Sequence, residues 1–177
     1  MKKIHFLALL SGLLFLGATR QPESFVCTPC GDDCDLGTYS SAGTCPHCGM
    51  PLVKRSTVNM HNITPLQLCD SVKAQPGVLL LDVRTTEEFS GKDGGHWGHL
   101  RNAMNIPVQE LARRLNELSA YRSKTVIVYC SHGHRSAQAT YLLSQNGFRR
   151  VSNMLGGMCT WNKATEGSMA ARQLVVR

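Results

Sequence analysis

A cysteine between a predicted strand and a predicted helix limits the fold of this chain more than any other feature. Thr125–Tyr129 is a run of β-branched and aromatic residues that predicts a buried strand ending at Cys130. The next residues predict a helix over Ala137–Asn146, with Ser136 as its cap and Gly147 as its stop. Such a turn sets the sulfur over a helix N-terminus, where unpaired N–H groups favour a thiolate and a bound anion.

The loop after the cysteine has the residues of an anion-binding site. Gly133 allows backbone conformations that other residues resist, and Arg135 adds a permanent cation. We predict Cys130 as a nucleophile and Arg135 as a catalytic residue that orients the substrate and lowers the pKa of the thiol. The predicted substrate-binding residues are Ser131, His132, Gly133, His134 and Ser136. A buried structural cysteine before an ordinary helix is the alternative, as are exposed loop histidines without a catalytic role.

Five of the eight cysteines lie close together near the N-terminus. Two Cys-x-x-Cys pairs, Cys27 with Cys30 and Cys45 with Cys48, are separated by fourteen residues, a spacing typical of a four-thiolate zinc site. We predict these four as metal ligands, for zinc or another soft metal, because the segment has too few large apolar residues to build a core. Cys34 has three alternative roles: it replaces one of these four ligands, it joins a softer Cu(I) site, or it is redox-active.

Other interpretations of this cysteine-rich module, predicted over residues 25–54, stay open. An oxidising compartment would favour disulfides over bound metal. The run from Gly43 to Leu52 resembles the short heavy-metal-binding modules of metal-efflux proteins. That resemblance implies a metal-related role, and the module is also a candidate docking site for a protein partner.

The N-terminus predicts export. Lys2 and Lys3 precede the mostly apolar stretch Ile4–Ala18, the order found in a secretory signal. We therefore expect a signal peptide over residues 1–19 and a bacterial periplasmic location, with membrane attachment only if the signal is uncleaved. The formal net charge is +7, but the sequence has no basic run with interleaved aromatic residues. Nucleic-acid binding is therefore disfavoured. A mildly basic surface would help to recruit a small anionic substrate.

From Thr57 onward, short β-branched runs alternate with amphipathic stretches, which predicts an α/β domain with a largely parallel sheet over residues 57–166. Val78–Val83 predicts a central strand, and Val108–Leu118 predicts a helix. Asp82 and Arg84 are expected to form a supporting ion pair near the cysteine loop. Residues 167–177 predict a C-terminal tail without a functional signal.

Several further motifs occur in the order that one known family shows. They are Leu81-Asp82-Val83-Arg84 with Glu87-Glu88-Phe89, Gly98-His99-Leu100 with Ala103-Met104-Asn105-Ile106-Pro107, the Cys130 loop, and Gly147-Phe148 through Leu155-Gly156-Gly157-Met158 to Trp161. Through these motifs the chain resembles the rhodanese family of single-domain sulfurtransferases, from Val58 to Ala164. Asn102 departs from the pattern, since the family often has glycine there.

The resemblance implies an α/β fold with a central parallel sheet flanked by helices. It also implies transfer of sulfane sulfur through a persulfide on Cys130, with no cofactor for catalysis. The expected donor is a small anion such as thiosulfate, and the expected acceptor is cyanide or a thiol.

Two rival functions remain. Phosphatases and arsenate reductases also use a cysteine loop closed by arginine, but with five intervening residues where Cys130 and Arg135 have four. The other rival is a non-catalytic metal-binding or sensing protein built on a rhodanese-like scaffold.

Overall fold

The computed structural model describes residues 22–94 and 97–177. The predicted signal peptide therefore lies outside the described residues. Among the helices in the described ranges, none has the length and apolar character needed to span a bilayer.

The cysteine-rich module is a small unit built on one two-stranded antiparallel sheet. Strand β1 (Phe25–Cys27) pairs with β2 (Leu52–Lys54), and both fall inside the predicted boundaries. A 3₁₀ turn over Asp33–Leu36 lies between them and buries Cys34. The cysteines themselves supply most of the module's buried side chains, as expected for a segment with few large apolar residues.

The second unit alternates strands and helices. In chain order its elements are β3 (His61–Ile63), α1 (Pro65–Ala74), β4 (Leu79–Asp82), α2 (Thr86–Ser90), β5 (His99–Leu100), β6 (Met104–Asn105), α3 (Val108–Arg114), β7 (Thr125–Tyr129), α4 (His134–Gln145), β8 (Arg150–Met154), α5 (Gly157–Ala164), α6 (Met169–Leu174) and β9 (Val175–Val176). Parallel pairing gives a five-stranded sheet in the order β3-β8-β7-β4-β6. The predicted α/β class with a central parallel sheet flanked by helices is confirmed.

Two apolar clusters sandwich this sheet. One contains Leu81 and Val128 with Leu111 of α3, and the other contains Ile127 with Trp161 of α5. Successive residues of a strand point to opposite faces, so β7 contributes to both clusters. The strand is buried on both sides and carries its last residues towards the loop that follows.

The predicted helix over Val108–Leu118 is shorter than expected. Helix α3 ends at Arg114, and a 3₁₀ segment continues over Leu115–Tyr121. In a 3₁₀ turn, residues three apart eclipse each other, and so both Leu115 and Leu118 pack against the core. The predicted apolar positions are therefore buried or partly buried, although the helix type changes.

The residues predicted as a C-terminal tail are part of the fold. Strand β9 pairs antiparallel with β5, and Ala171 of α6 is fully buried. Leu174 and Val175 pack against the cluster that contains Trp161. The apolar runs in this segment are few and short, and for this reason the sequence pattern did not predict α6 and β9.

Candidate active site

The loop between β7 and α4 places Cys130 at the start of a helix, as the sequence predicts. The helix begins earlier than predicted, at His134, and Gly133 is its N-cap with a φ of +106°. Ser136 is therefore not the cap, because the left-handed glycine starts the helix three residues before it. Ser136 is instead a buried residue of the first turn.

Polar groups from the first turn of α4 surround the Cys130 sulfur. The Gly133 N–H donates to the sulfur at 3.1 Å, and the Ser136 Oγ lies 3.4 Å from it. Ser136 is held from below by Asn153 of β8, whose Oδ1 accepts its hydroxyl at 2.6 Å. The thiol is 1% exposed and lies at the positive end of α4. The Gly133 N–H and the positive end of α4 suit a sulfur that carries negative charge.

Arg135 forms a paired interaction with Glu88 of α2. Its two terminal nitrogens donate to the Glu88 carboxylate at 2.6 and 2.7 Å, and one also donates to the Ser131 Oγ at 3.0 Å. The Ser131 hydroxyl in turn donates to Glu88 at 2.8 Å. The guanidinium therefore joins α2 to the loop, where the sequence predicted a group that orients the substrate.

Glu88 is a site residue that the sequence analysis did not assign. Hydrogen bonds from Arg135 lower the pKa of Glu88 to about 2. Burial acts in the opposite direction, whereas hydrogen bonds from the Thr85 N–H and Ser131 lower the pKa further. Glu88 also closes the capping box of α2, accepting from Thr85 N–H at 3.0 Å. The capping pattern could have drawn attention to Glu88, but its partner lies 47 residues away in sequence.

The N-terminus of α5 forms a second wall of the loop. Met158 N–H donates to the Cys130 carbonyl at 2.9 Å, and Cys159 N–H donates to the Ser131 carbonyl at 3.0 Å. Gly157 allows this close packing, since a Cβ there would lie 2.4 Å from the Ser131 carbonyl group, and its φ is +58°. The loop backbone is therefore fixed by two helix N-termini, those of α4 and α5.

The two loop histidines have different surroundings. His132 is exposed and meets the Trp97 ring edge-on, with the ring centres 5.3 Å apart. His134 is in hydrogen-bond contact with Asp32 of the cysteine-rich module, with the Nε2 and Oδ2 atoms 2.5 Å apart. The module thus contacts the loop directly.

Asp82 and Arg84 form the predicted ion pair, buried below the loop. Their side chains are 0% and 2% exposed, and the Arg84 Nη2 lies 2.6 Å from the Asp82 Oδ2. Arg84 also donates to the Gly98 carbonyl at 2.8 Å. The pair therefore supports the turn that leads into β5, and its described contacts do not include the Cys130 sulfur.

The module brings four cysteine sulfurs together, but not the predicted four. Cys27, Cys34, Cys45 and Cys48 have their sulfurs within 4.8 Å of one another. Cys34 therefore takes the place that the Cys-x-x-Cys spacing gave to Cys30. All eight cysteines lie in the described ranges, and each is free. The four thiols can hold a metal ion.

Cys30 is directed elsewhere by Asp35. The Asp35 carboxylate accepts the N–H of Cys30 at 3.0 Å and that of Gly31 at 2.7 Å, and it lies 3.7 Å from the Cys30 sulfur. The 3₁₀ turn that contains Asp35 at the same time carries Cys34 inward. The Asp35 carboxylate and its turn therefore hold Cys30 outside the four-cysteine cluster and place Cys34 inside it.

Within the four-cysteine cluster the thiols differ in acidity. Burial raises the pKa of Cys45, but N–H groups of Cys48 and His47, with the neighbouring thiols, lower it overall to about 6. Burial raises the pKa of Cys34 to about 11. A bound cation would favour the thiolate form of every ligand.

Comparison with known proteins agrees with this geometry. The family described as rhodanese-like domain matches residues 66–164, more than half of the chain. The chain belongs to the rhodanese family. The match includes the cysteine loop, Glu88 and Gly157, and it leaves the cysteine-rich module outside.

Individual rhodanese relatives are similar over part of the chain. The "Uncharacterized protein YqhL" of Bacillus subtilis is 38% identical over 82 residues, which cover 46% of this chain and 59% of that protein. A "Sulfurtransferase" of Allochromatium vinosum is 34% identical over 84 residues, covering 48% of this chain and 71% of that protein. A rhodanese-like domain protein of Staphylococcus aureus has a solved structure with a TM-score of 0.50 and 30% identity, covering 58% of this chain and 91% of that one.

Proposed function

We propose that this protein is a sulfurtransferase that carries sulfane sulfur as a persulfide on Cys130. The observation that carries the proposal is the position of the sulfur at the start of α4, 3.1 Å from the Gly133 nitrogen and 3.4 Å from the Ser136 hydroxyl. Family membership and the similarity to a protein named sulfurtransferase support the same chemistry.

In the first half-reaction the Cys130 thiolate attacks the outer sulfur of a small anionic donor such as thiosulfate. A new S–S bond forms at Cys130 while the S–S bond of the donor breaks, and sulfite leaves with the bonding electron pair. The negative charge on the terminal sulfur of the persulfide is stabilised by the N–H groups of the loop, as in an oxyanion hole.

In the second half-reaction a nucleophilic acceptor, cyanide or a thiol, attacks that terminal sulfur. The acceptor gains the sulfur, and the Cys130 thiolate leaves with the electrons of the S–S bond. Because donor product leaves before the acceptor reacts, the kinetics are expected to be ping-pong.

Arg135 acts here as a positioning residue. Its guanidinium donates hydrogen bonds to both Glu88 and Ser131, and these bonds fix the loop backbone between Cys130 and α4. The backbone N–H groups are then held in place before the substrate arrives.

The cysteine-rich module is proposed to bind zinc through Cys27, Cys34, Cys45 and Cys48. Four cysteine sulfurs within 4.8 Å of one another match the ligand set of a structural zinc site, and the module has little other core to stabilise it. We also keep export to a bacterial periplasm as a proposal, which rests on the sequence of residues 2–18.

The test is thiosulfate-to-cyanide sulfur transfer by the wild-type protein, by Cys130→Ser and by Cys69→Ser. Cys69 is a matched control because it is another buried thiol, 2% exposed, in the opposite part of the core. Activity is expected in the wild type and in Cys69→Ser and is expected to fall to background in Cys130→Ser.

Two outcomes would contradict the proposal. A wild-type protein without transferase activity would favour the non-catalytic binding function. Hydrolysis of an aryl phosphate that disappears in Cys130→Ser would favour a phosphatase.

A further inference from the structure

The cysteine-rich module packs directly on the catalytic loop. The Cys30 carbonyl lies 3.5 Å from where a Cβ on Gly133 would be, and the Leu155 side chain would meet a Cβ on Gly31 at 2.4 Å. Ala137 of α4 is buried among the module's cysteines. Residues 30–32 of the module therefore lie beside the first turn of α4.

Three metal-binding side chains converge where the two units meet. The Cys30 sulfur, an Asp32 carboxylate oxygen and a ring nitrogen of His134 all lie within 4.8 Å of one another. Cys30 and Asp32 come from the module, and His134 comes from the catalytic loop. Because Cys34 has replaced Cys30 in the four-cysteine cluster, the Cys30 thiol is not used there.

We propose that Cys30, Asp32 and His134 form a second metal site, which holds a zinc-class cation between the module and the catalytic loop. A thiolate, an imidazole and a carboxylate are all ligands that Zn²⁺ accepts, whereas Ca²⁺ and Mg²⁺ require oxygen ligands. Three protein ligands leave a fourth position open for water or another small ligand.

The neighbouring carboxylate supports this ligand set. Asp35 accepts the backbone N–H groups of Cys30 and Gly31 and so fixes the backbone beside the proposed site. Cys30 also lies within 4.8 Å of Cys34 and Asp35. That grouping is the weaker candidate, since Cys34 belongs to the four-cysteine cluster and Asp35 already accepts two N–H groups.

The competing interpretation is an ordinary surface ion pair. The side chains of His134 and Asp32 are 43% and 55% exposed, and exposed pairs of this kind contribute little to stability. An ion pair would need no thiol, however, and Cys30 is 3% exposed beside it. The number of metal ions bound per chain separates the two interpretations.

The experiment is a zinc count on the full chain. The protein is stripped with a chelator under reducing conditions, Zn²⁺ is added back, and bound zinc per chain is measured by elemental analysis after desalting. The wild type is expected to bind two ions. Cys30→Ser, Asp32→Asn and His134→Ala are each expected to bind one.

One matched control lies next to the proposed site, and a second lies away from it on β3. Asp33→Asn changes an exposed carboxylate next to Asp32, and His61→Ala removes an exposed histidine of β3. Both are expected to keep two zinc ions. Replacing zinc with Co²⁺ gives a second measurement, since His134→Ala should retain only the thiolate-to-cobalt absorption of a four-cysteine site.

Three results would overturn the proposal. The first is a wild type that binds a single zinc ion. The second is two zinc ions retained by the Asp32→Asn and His134→Ala variants. Either result would mean that Cys30, Asp32 and His134 do not bind a metal. Loss of both ions in His134→Ala would also contradict it, because an exposed substitution outside the four-cysteine cluster should remove one ion only. The zinc count does not depend on sulfur transfer, so its failure and that of the proposed enzymatic function are distinguishable.

Discussion

Single residues decide the shape of the cysteine loop. Gly133 starts α4 in a left-handed conformation, and Gly157 allows α5 to pack against the Ser131 carbonyl. At each position the positive φ favours glycine, and at Gly157 the lack of a side chain is required as well. The sequence motifs contain both glycines, but only the structure shows what each one contacts.

Gly157→Ala is expected to lower kcat/KM for sulfur transfer by about tenfold to a hundredfold, because the new Cβ would displace the Ser131 carbonyl and with it the loop N–H groups. Gly77→Ala is the matched control. Gly77 also has a positive φ, +94°, but a Cβ there would meet nothing within 4 Å. Both variants should lose stability through the strained φ, the Gly157 variant more because of its backbone clash, and only the Gly157 variant should lose activity. Equal activities would show that this contact does not position the loop.

Asn102 illustrates a departure from the family pattern that the structure accommodates. It adopts a φ of +61°, the left-handed conformation that glycine would take without strain. Asparagine is one of the few other residues that tolerate this region. The turn before β6 is therefore kept although the residue differs.

At the scale of elements, the Glu88–Arg135 pair connects α2 to the Cys130 loop. The pKa of Glu88 is lower in the folded protein, about 2, than its ordinary 4.5. A lowered folded-state pKa stabilises the protein above the unfolded-state pKa, and this stability is lost as the pH falls towards the folded value. The contribution is therefore present at neutral pH and declines between about pH 4.5 and about pH 2.

Glu88→Gln is accordingly expected to destabilise the protein by about 1–2 kcal/mol at neutral pH, a value reduced for solvent screening of a partly exposed pair. The measurement is urea unfolding of both proteins from about pH 7 to about pH 3. The difference between them should shrink as the pH falls below about 4.5. Glu87→Gln, at the exposed neighbouring position, should show no such trend. A difference that is constant with pH would contradict the ion pair.

Element prediction succeeded where local signals were strong. The β-branched run of β7 and the apolar run of β4 are both recognised from neighbouring residues alone. Glu88 as the partner of Arg135 could not be predicted in this way, because the contact joins residues that are distant in sequence.

At the scale of the whole molecule, the module and the rhodanese domain meet at the Cys130 loop. Spacing alone could not distinguish Cys30 from Cys34, since the choice depends on the turn around Asp35. Nor could it place Asp32 against His134, which is 102 residues away. The arrangement of the two units therefore had to come from the structure.

This arrangement gives the loop two kinds of neighbour. Helices α2 and α5 hold it from the rhodanese domain, through Glu88 and Gly157, and the module holds it through Asp32. The cysteine-rich module and the Cys130 loop are thus adjacent in one protein. The proposed sulfur transfer nevertheless takes place at one atom, the Cys130 sulfur.

A persulfide on Cys130 is tested by mass spectrometry of the intact protein after brief exposure to thiosulfate and rapid desalting. We predict a gain of one sulfur atom, mapped by peptide digestion to Cys130, and its loss when cyanide is added, with thiocyanate released in equal amount. The Cys130→Ser variant should gain nothing. A protein that gains no sulfur, or gains it equally in Cys130→Ser, would contradict the account.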